Sequence, residues 1–173
     1  GSSAINGMVW VRGQPQDYDH WAQLGCRGWS YQDVLPLFKK MESYKGGSDE
    51  YRGRDGILKV TDSPRISPFF DRLIQSAETI GIKYNPDYNG KEQEGFVYTQ
   101  YTHTHRFPMR CSAARAYLWP AMRRKNLTIW TKTRTLRILF DGKRASGVEV
   151  ERGGERLTVR CERELILSAG AYQ

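Results

Sequence analysis

The run Leu165-Ile166-Leu167, with Ser168-Ala169-Gly170-Ala171 directly after it, limits what this chain can fold into more than any other stretch. Three consecutive apolar residues leave no polar face, so as a strand they require cover on both sides, as in a largely parallel sheet. The small residues after them let backbone approach a ligand, and a buried strand feeding such a turn is the usual lead-in to a ligand-binding helix. Upstream, residues 127–131, 135–140 and 145–150 each read as strands. Gly153-Gly154 marks a tight turn, and residues 157–161 form the return strand. The expected fold class is α/β with an added antiparallel sheet, that is, α/β (α+β).

The N-terminal two thirds mix helices with loops. Residues 1–13 read as a backbone-rich loop entering a buried segment. Ser30 caps a helix with Asp33 at its third position, and Val34, Leu35, Leu37, Phe38 and Met41 supply its apolar face. Pro36 should break that helix into two short ones, the second starting at the proline. Residues 45–56 are a loop and residues 57–60 a short strand. Ser67-Pro68 starts a further helix, with Phe69, Phe70, Leu73, Ile74, Ala77 and Ile80 at helical spacing and Gly81 ending it. Residues 84–95 carry turn chemistry, residues 96–103 are extended, and Ser112 caps a helix running toward Pro120.

Charge and composition exclude less than they suggest. The formal net charge is +8, with basic clusters at residues 106–115 and 123–125. A solvated basic surface explains this, and so would an anionic partner. Interleaved basic and aromatic residues keep a non-enzymatic nucleic-acid-binding module as the alternative function. Cys26, Cys111 and Cys161 are odd in number and lack metal-ligand spacing, so unpaired packing thiols in a reducing compartment are expected. No apolar run approaches the roughly 18–20 residues of a membrane span. A cytoplasmic setting is expected, with peripheral membrane association allowed. The chain lacks an initiating Met, and Gly1-Ser2-Ser3 has a second reading as a tag scar.

Isolated polar residues have bland explanations. His103-Thr104-His105 places two imidazoles on one strand face without a third ligand, so no metal site is expected. His20 reads as a surface or packing residue, and Ser112 as a cap rather than a nucleophile. The five Trp and ten Tyr are expected mostly in the core.

The opening run, Gly1-Ser2-Ser3-Ala4-Ile5-Asn6-Gly7-Met8-Val9-Trp10-Val11-Arg12-Gly13 with Asp17, Tyr18, Asp19 and Trp21, carries the most information. It resembles the first signature of the glucose–methanol–choline (GMC) oxidoreductase family. Gly28-Trp29-Ser30-Tyr31, Val34-Leu35-Pro36, the run from Tyr84 through Gly90, and Glu94-Gly95-Phe96 are similar to the choline-dehydrogenase-like branch. The run from Arg110 to Leu118, Asn126-Leu127-Thr128 and the run from Gly142 to Glu149 resemble further blocks of the family. Leu167-Ser168-Ala169-Gly170-Ala171 resembles the start of the second signature.

The resemblance implies part of an FAD/NAD(P)-binding Rossmann-like domain with an interleaved substrate-side domain. Residues 1–56 and 111–173 would belong to the flavin side and residues 57–110 to the substrate side. It implies non-covalent FAD, contacted by Ser2, Ser3, Asn6, Gly7, Met8 and Val9. Asn6 would lie near the reactive ring edge, the backbone at Thr135 near the adenine, and Ala169 and Gly170 on the adenine–ribose side. Some relatives attach flavin through a His at the position of Ile5, which has no nucleophile. The implied reaction is hydride transfer from a primary alcohol, a small-molecule substrate, to flavin N5. No G-x-G-x-x-G occurs, and the family's catalytic His lies beyond this sequence, so the chain reads as an internal segment, inactive alone, without catalytic residues of its own. Phe107-Pro108-Met109 replaces the family's more usual glycine-containing turn.

Overall fold

The computed structural model describes residues 1–63, 67–107 and 109–172, and the chain divides into two compact units, Gly1–Pro120 and Ala121–Gln173. The turn at Pro108 lies outside the described residues.

The first unit opens with a single 3-10 turn, Ser2–Ala4. Helix α1, Pro15–Gln23, starts with Pro at its first position and a reciprocal box between Gln14 and Asp17. Helix α2, Tyr31–Met41, carries the Ser30–Asp33 capping box expected from the sequence. It is continuous through Pro36, which corrects the expected break. Proline removes one donor, and the Gln32 carbonyl it would have served sits on an exposed residue, where water can take its place. Leu37 is also on the exposed side, so the buried stripe runs through Val34, with Leu35 and Phe38 half-buried.

Strand β1, Glu42–Ser43, runs parallel to β2, Leu58–Lys59, with Glu42 opposite Leu58. Strand β3, Thr61–Asp62, is antiparallel to β4, Gln100–Tyr101. Between them lies α3, Pro68–Thr79, capped by Ser67 and ended by Gly81 at φ +85°. Its sequence pattern is amphipathic, yet Phe69, Phe70 and Ile80 are exposed.

Ser112 accepts from the Arg115 amide as a cap should. Beyond this cap the chain is helical, as expected: a π-helical segment, Ala114–Leu118, continues into α4, Trp119–Ala121. The widened segment ends two residues before Pro120, which cannot donate into an α-turn. Leu58, Cys111 and Ala116 form a buried apolar cluster, with Trp10 packed against it.

The second unit is a meander of β5 (Thr133–Asp141), β6 (Arg144–Arg152) and β7 (Glu155–Arg160), all antiparallel. Gly153 and Gly154 both have positive φ at the β6–β7 turn, as the sequence indicated. Two other expectations fail here. Residues 127–131 form no strand, since Leu127 is held in a turn to Arg124 and residues 128–131 are exposed. Residues 165–167 are not a buried strand either: Ile166 is 79% and Leu167 66% exposed. An apolar run becomes a strand only where a neighbour takes its backbone bonds, and among the described residues none lies alongside it.

Candidate functional site

The expected ligand-contact residues near the N-terminus form one continuous strip. Asn6 folds back in an Asx-turn, its Oδ1 accepting from the Met8 amide at 3.0 Å. That turn holds Met8 at φ +64°, a left-handed conformation unusual for a residue with a side chain. The strip is fastened from three places distant in sequence. The Thr102 amide donates to the Met8 carbonyl at 2.9 Å, and the Ala113 amide donates to Ser3 Oγ at 3.1 Å. Arg110 Nη1 donates to Asn6 Oδ1 at 2.8 Å, to the Asn6 carbonyl at 2.7 Å and to the Ser3 carbonyl at 3.2 Å.

Although fixed, the strip is open. Ile5 is 85% exposed, Asn6 and Gly7 are exposed, and Val9 is 47% exposed. A Cβ added at Gly7 would meet nothing within 4 Å. The expectation that residues 1–13 enter a buried segment therefore holds only for alternate residues: Trp10 is half-buried and Arg12 buried, while Val9 and Val11 face out. This is the two-residue alternation of extended chain pairing with β4, through Val9 opposite Tyr101.

Behind the strip lies a buried polar cluster that sequence reasoning missed. Glu42 and Arg52 are almost completely enclosed. Glu42 Oε1 accepts from Arg52 Nε at 2.8 Å and from the Gly53 amide at 2.9 Å, and pairs with Arg12 Nη2 at 2.6 Å. Its Oε2 accepts from Trp10 Nε1 at 2.7 Å. Arg52 also pairs with Asp87, donates to Gln100 Oε1 at 2.9 Å and lies 4.0 Å over the Tyr44 ring. Asn89 bridges Gln100 Oε1 and the Trp10 carbonyl, and accepts from the Arg12 amide.

Burial pushes the Glu42 carboxyl up, but Arg52, Arg12 and the Gly53 amide outweigh it and hold the group below its ordinary range. Burial lowers Arg12, with Glu42 opposing that shift. Burial, then the hydrogen bond to Asp62, raises the Tyr44 phenol, and burial raises Tyr88. These groups are buried in the first unit, and Trp10 links them to the exposed strip.

The remaining expected contacts lie in the second unit. Thr135 is exposed on β5, beside an irregularity in the β5–β6 register that falls between Thr135 and Arg137. Among the described residues β5 pairs only with β6, so it is an edge strand whose outer backbone groups are free of the ladder. A pocket of about 320 Å³ is lined by Thr135, Ile138, Gly147, Val159, Ile166 and Leu167, among others. Ala169 and Gly170 are exposed, Gly170 at φ +96°.

His103 stacks on Tyr101 and His105 faces the Ser43 carbonyl at 3.0 Å. Among the described residues, no group of three metal-capable side chains occurs. Cys111 packs in the core as expected, but Cys26 is exposed and does not. Trp21, Trp29, Trp119 and Trp130 are also exposed, against the expectation of core positions. Among the described residues, no helix is long and apolar enough to cross a membrane.

A family model described as GMC oxidoreductase matches residues 1–173. The chain belongs to the GMC oxidoreductase family. It is 45% identical over 172 residues to an oxygen-dependent choline dehydrogenase of Brucella anthropi, and 46% identical to that of Sinorhizobium fredii. In each case 99% of this chain matches 31% of the relative, so the chain spans about a third of the length of these proteins.

Among solved structures, an FAD-dependent oxidoreductase from Chaetomium thermophilum matches 98% of this GMC chain and 32% of its own, with TM-score 0.85 and 28% identity. Pyridoxine 4-oxidase from Mesorbium loti matches 92% of this chain and 31% of its own, with TM-score 0.77 and 28% identity. The α/β reading of the fold agrees with these neighbours. Arg110 sits inside a recognised family block, yet nothing local in the sequence gives it a role.

Proposed function

We propose that this chain supplies the flavin-facing loop and part of the pocket wall of an FAD-dependent enzyme that oxidises a small primary alcohol. The observation that carries this reading is the strip of residues 5–9, which is fixed by Arg110, Thr102 and β4 yet remains exposed. A rigid ribbon with an open glycine and two exposed aliphatic side chains fits a flat, largely apolar ring with polar edges.

The residues present fit FAD in detail. Asn6 Oδ1 is committed to Met8 and Arg110, which leaves the Nδ2 amide as a donor toward an acceptor on the cofactor. Ile5 has no nucleophile, so the cofactor is held non-covalently at this position. Ser2, Ser3, Gly7, Met8 and Val9 belong to the same contact set. In the second unit, Thr135 would act through its edge-strand backbone, and Ala169 and Gly170 through theirs. When bound, FAD supplies the hydride acceptor at flavin N5. No residue of this chain is assigned the proton chemistry.

Residues 1–56 and 111–173 would form flavin-side segments and residues 57–110 a substrate-side segment. The relatives' names, choline dehydrogenase and pyridoxine 4-oxidase, support a small-molecule alcohol as substrate. The free thiols are compatible with the expected cytoplasmic setting.

The test is the visible spectrum of the full-length protein containing this sequence, titrated with FAD. A saturable shift of the flavin bands, reduced in Asn6→Ala, is expected. A folded protein that gives no shift at saturating FAD would overturn the proposal.

A further inference from the structure

We infer that Arg110 is the positioning residue of the flavin-facing strip, and that it sets a fixed positive charge against the Asn6 side chain. The inference rests on the flavin reading above. The two N–H groups of one nitrogen, Nη1, are shared among three acceptors, and all three belong to Ser3 or Asn6, more than 100 residues earlier in sequence. Together they clamp both ends of the turn that begins at Ser3 and closes at the Asx-turn of Asn6.

The chemistry of the partners matters as much as their number. Among the described residues, no carboxylate forms an ion pair with Arg110, and its acceptors are two carbonyls and an amide oxygen. Neutral acceptors fix the guanidinium without cancelling its charge. By contrast, Arg12 and Arg52 are neutralised by Glu42 and Asp87. Arg110 is half-buried, where such a charge is only partly screened. A cation held at the Asn6 amide stabilises whichever state of a bound ligand carries more negative charge. For a flavin that is the reduced state, so Arg110 should raise the reduction potential as well as order the loop.

Three variants of the full-length protein separate the two effects: Arg110→Ala removes bonds and charge, Arg110→Gln keeps a donor without the charge, and Arg110→Lys keeps the charge on one nitrogen. In the absence of FAD, amide exchange at residues 4–8 should accelerate in Arg110→Ala and stay near wild type in Arg110→Lys. Affinity for FAD should fall by about tenfold or more in Arg110→Ala, the loss expected from charge-assisted bonds. The reduction potential of the bound flavin should move negative in Arg110→Ala and Arg110→Gln and be restored in Arg110→Lys.

Unchanged exchange at residues 4–8 in Arg110→Ala overturns the positioning role. An unchanged potential in Arg110→Gln overturns the charge effect, since a purely structural tie would not separate Gln from Lys. If wild type takes up no FAD, the flavin reading fails and the charge effect fails with it. The exchange comparison still decides whether Arg110 holds the strip.

Discussion

Trp10 Nε1 donates to Glu42 Oε2 at 2.7 Å, joining the open N-terminal strip to the buried ion cluster behind it. The indole also packs against the Leu58–Cys111–Ala116 cluster, so one side chain meets both the polar and the apolar parts of the first unit. Trp10→Phe keeps most of the apolar contact and removes the donor. A hydrogen bond to a charged group contributes about 1.5–3 kcal/mol, and denaturant unfolding of this variant should show a loss in that range. A loss within a few tenths of a kcal/mol would mean the bond contributes nothing.

Glu42→Gln should cost about 3–5 kcal/mol, because it leaves the buried Arg52 and Arg12 without their shared counter-charge. Replacing an exposed acid such as Asp49, whose partner Arg54 is itself partly exposed, should cost less than about 1 kcal/mol. Equal effects at the two sites, read from urea midpoints, would contradict the burial argument.

Acid should act through the same group. The folded-state pKa of Glu42 is depressed, so its stabilising contribution is fully present above the unfolded-state value and is lost as pH falls through the folded value. With an unfolded glutamate near 4.3, stability should begin to fall below about pH 5 and keep falling under pH 4. Glu42→Gln should flatten that dependence. An equally steep acid slope in the variant would place the titration elsewhere.

Gly53 and Gly56 should not tolerate a side chain. A Cβ at Gly53 would lie 1.8 Å from the Lys39 carbonyl oxygen, and one at Gly56 2.3 Å from the Met41 carbonyl group. Backbone is the obstacle in both, so relief requires moving the α2–β1 junction. Gly53→Ala and Gly56→Ala should each lose at least about 1–3 kcal/mol, whereas Gly7→Ala, which meets open space, should leave stability unchanged and report only on ligand contact.

The features legible in the sequence were local ones. The Ser30–Asp33 box, the Ser67-Pro68 start of α3 and the Gly153-Gly154 turn each depend on residues a few positions apart, and each formed as read. Pro36 misled because the cost of a proline depends on whether its orphaned carbonyl can reach water, which sequence does not reveal. The apolar run at residues 165–167 misled because a strand is a property of a pair. The cluster around Glu42 and the clamp of Arg110 on Ser3 and Asn6 join residues 10 to 107 positions apart, so no spacing rule could show them. The signature run from Gly1 to Gly13 marked the strip, but the structure added what fixes it and which side stays open.

The thiols offer a simple check on the burial pattern. Cys26 is exposed and should react rapidly with a thiol reagent in the native protein, while Cys111, buried beside Leu58 and Ala116, should react only on unfolding. Rapid labelling of Cys111 under native conditions would contradict a core built on that cluster.

If residues 5–9 form a prebuilt contact surface for FAD, bound cofactor must shield their amides. Amide hydrogen exchange across the full-length protein, measured with and without FAD, reads that shielding. Added protection at residues 5–9, with the Glu42–Arg52 region already protected in both states, is the predicted result. Tight FAD binding that leaves exchange at residues 5–9 unchanged would contradict it.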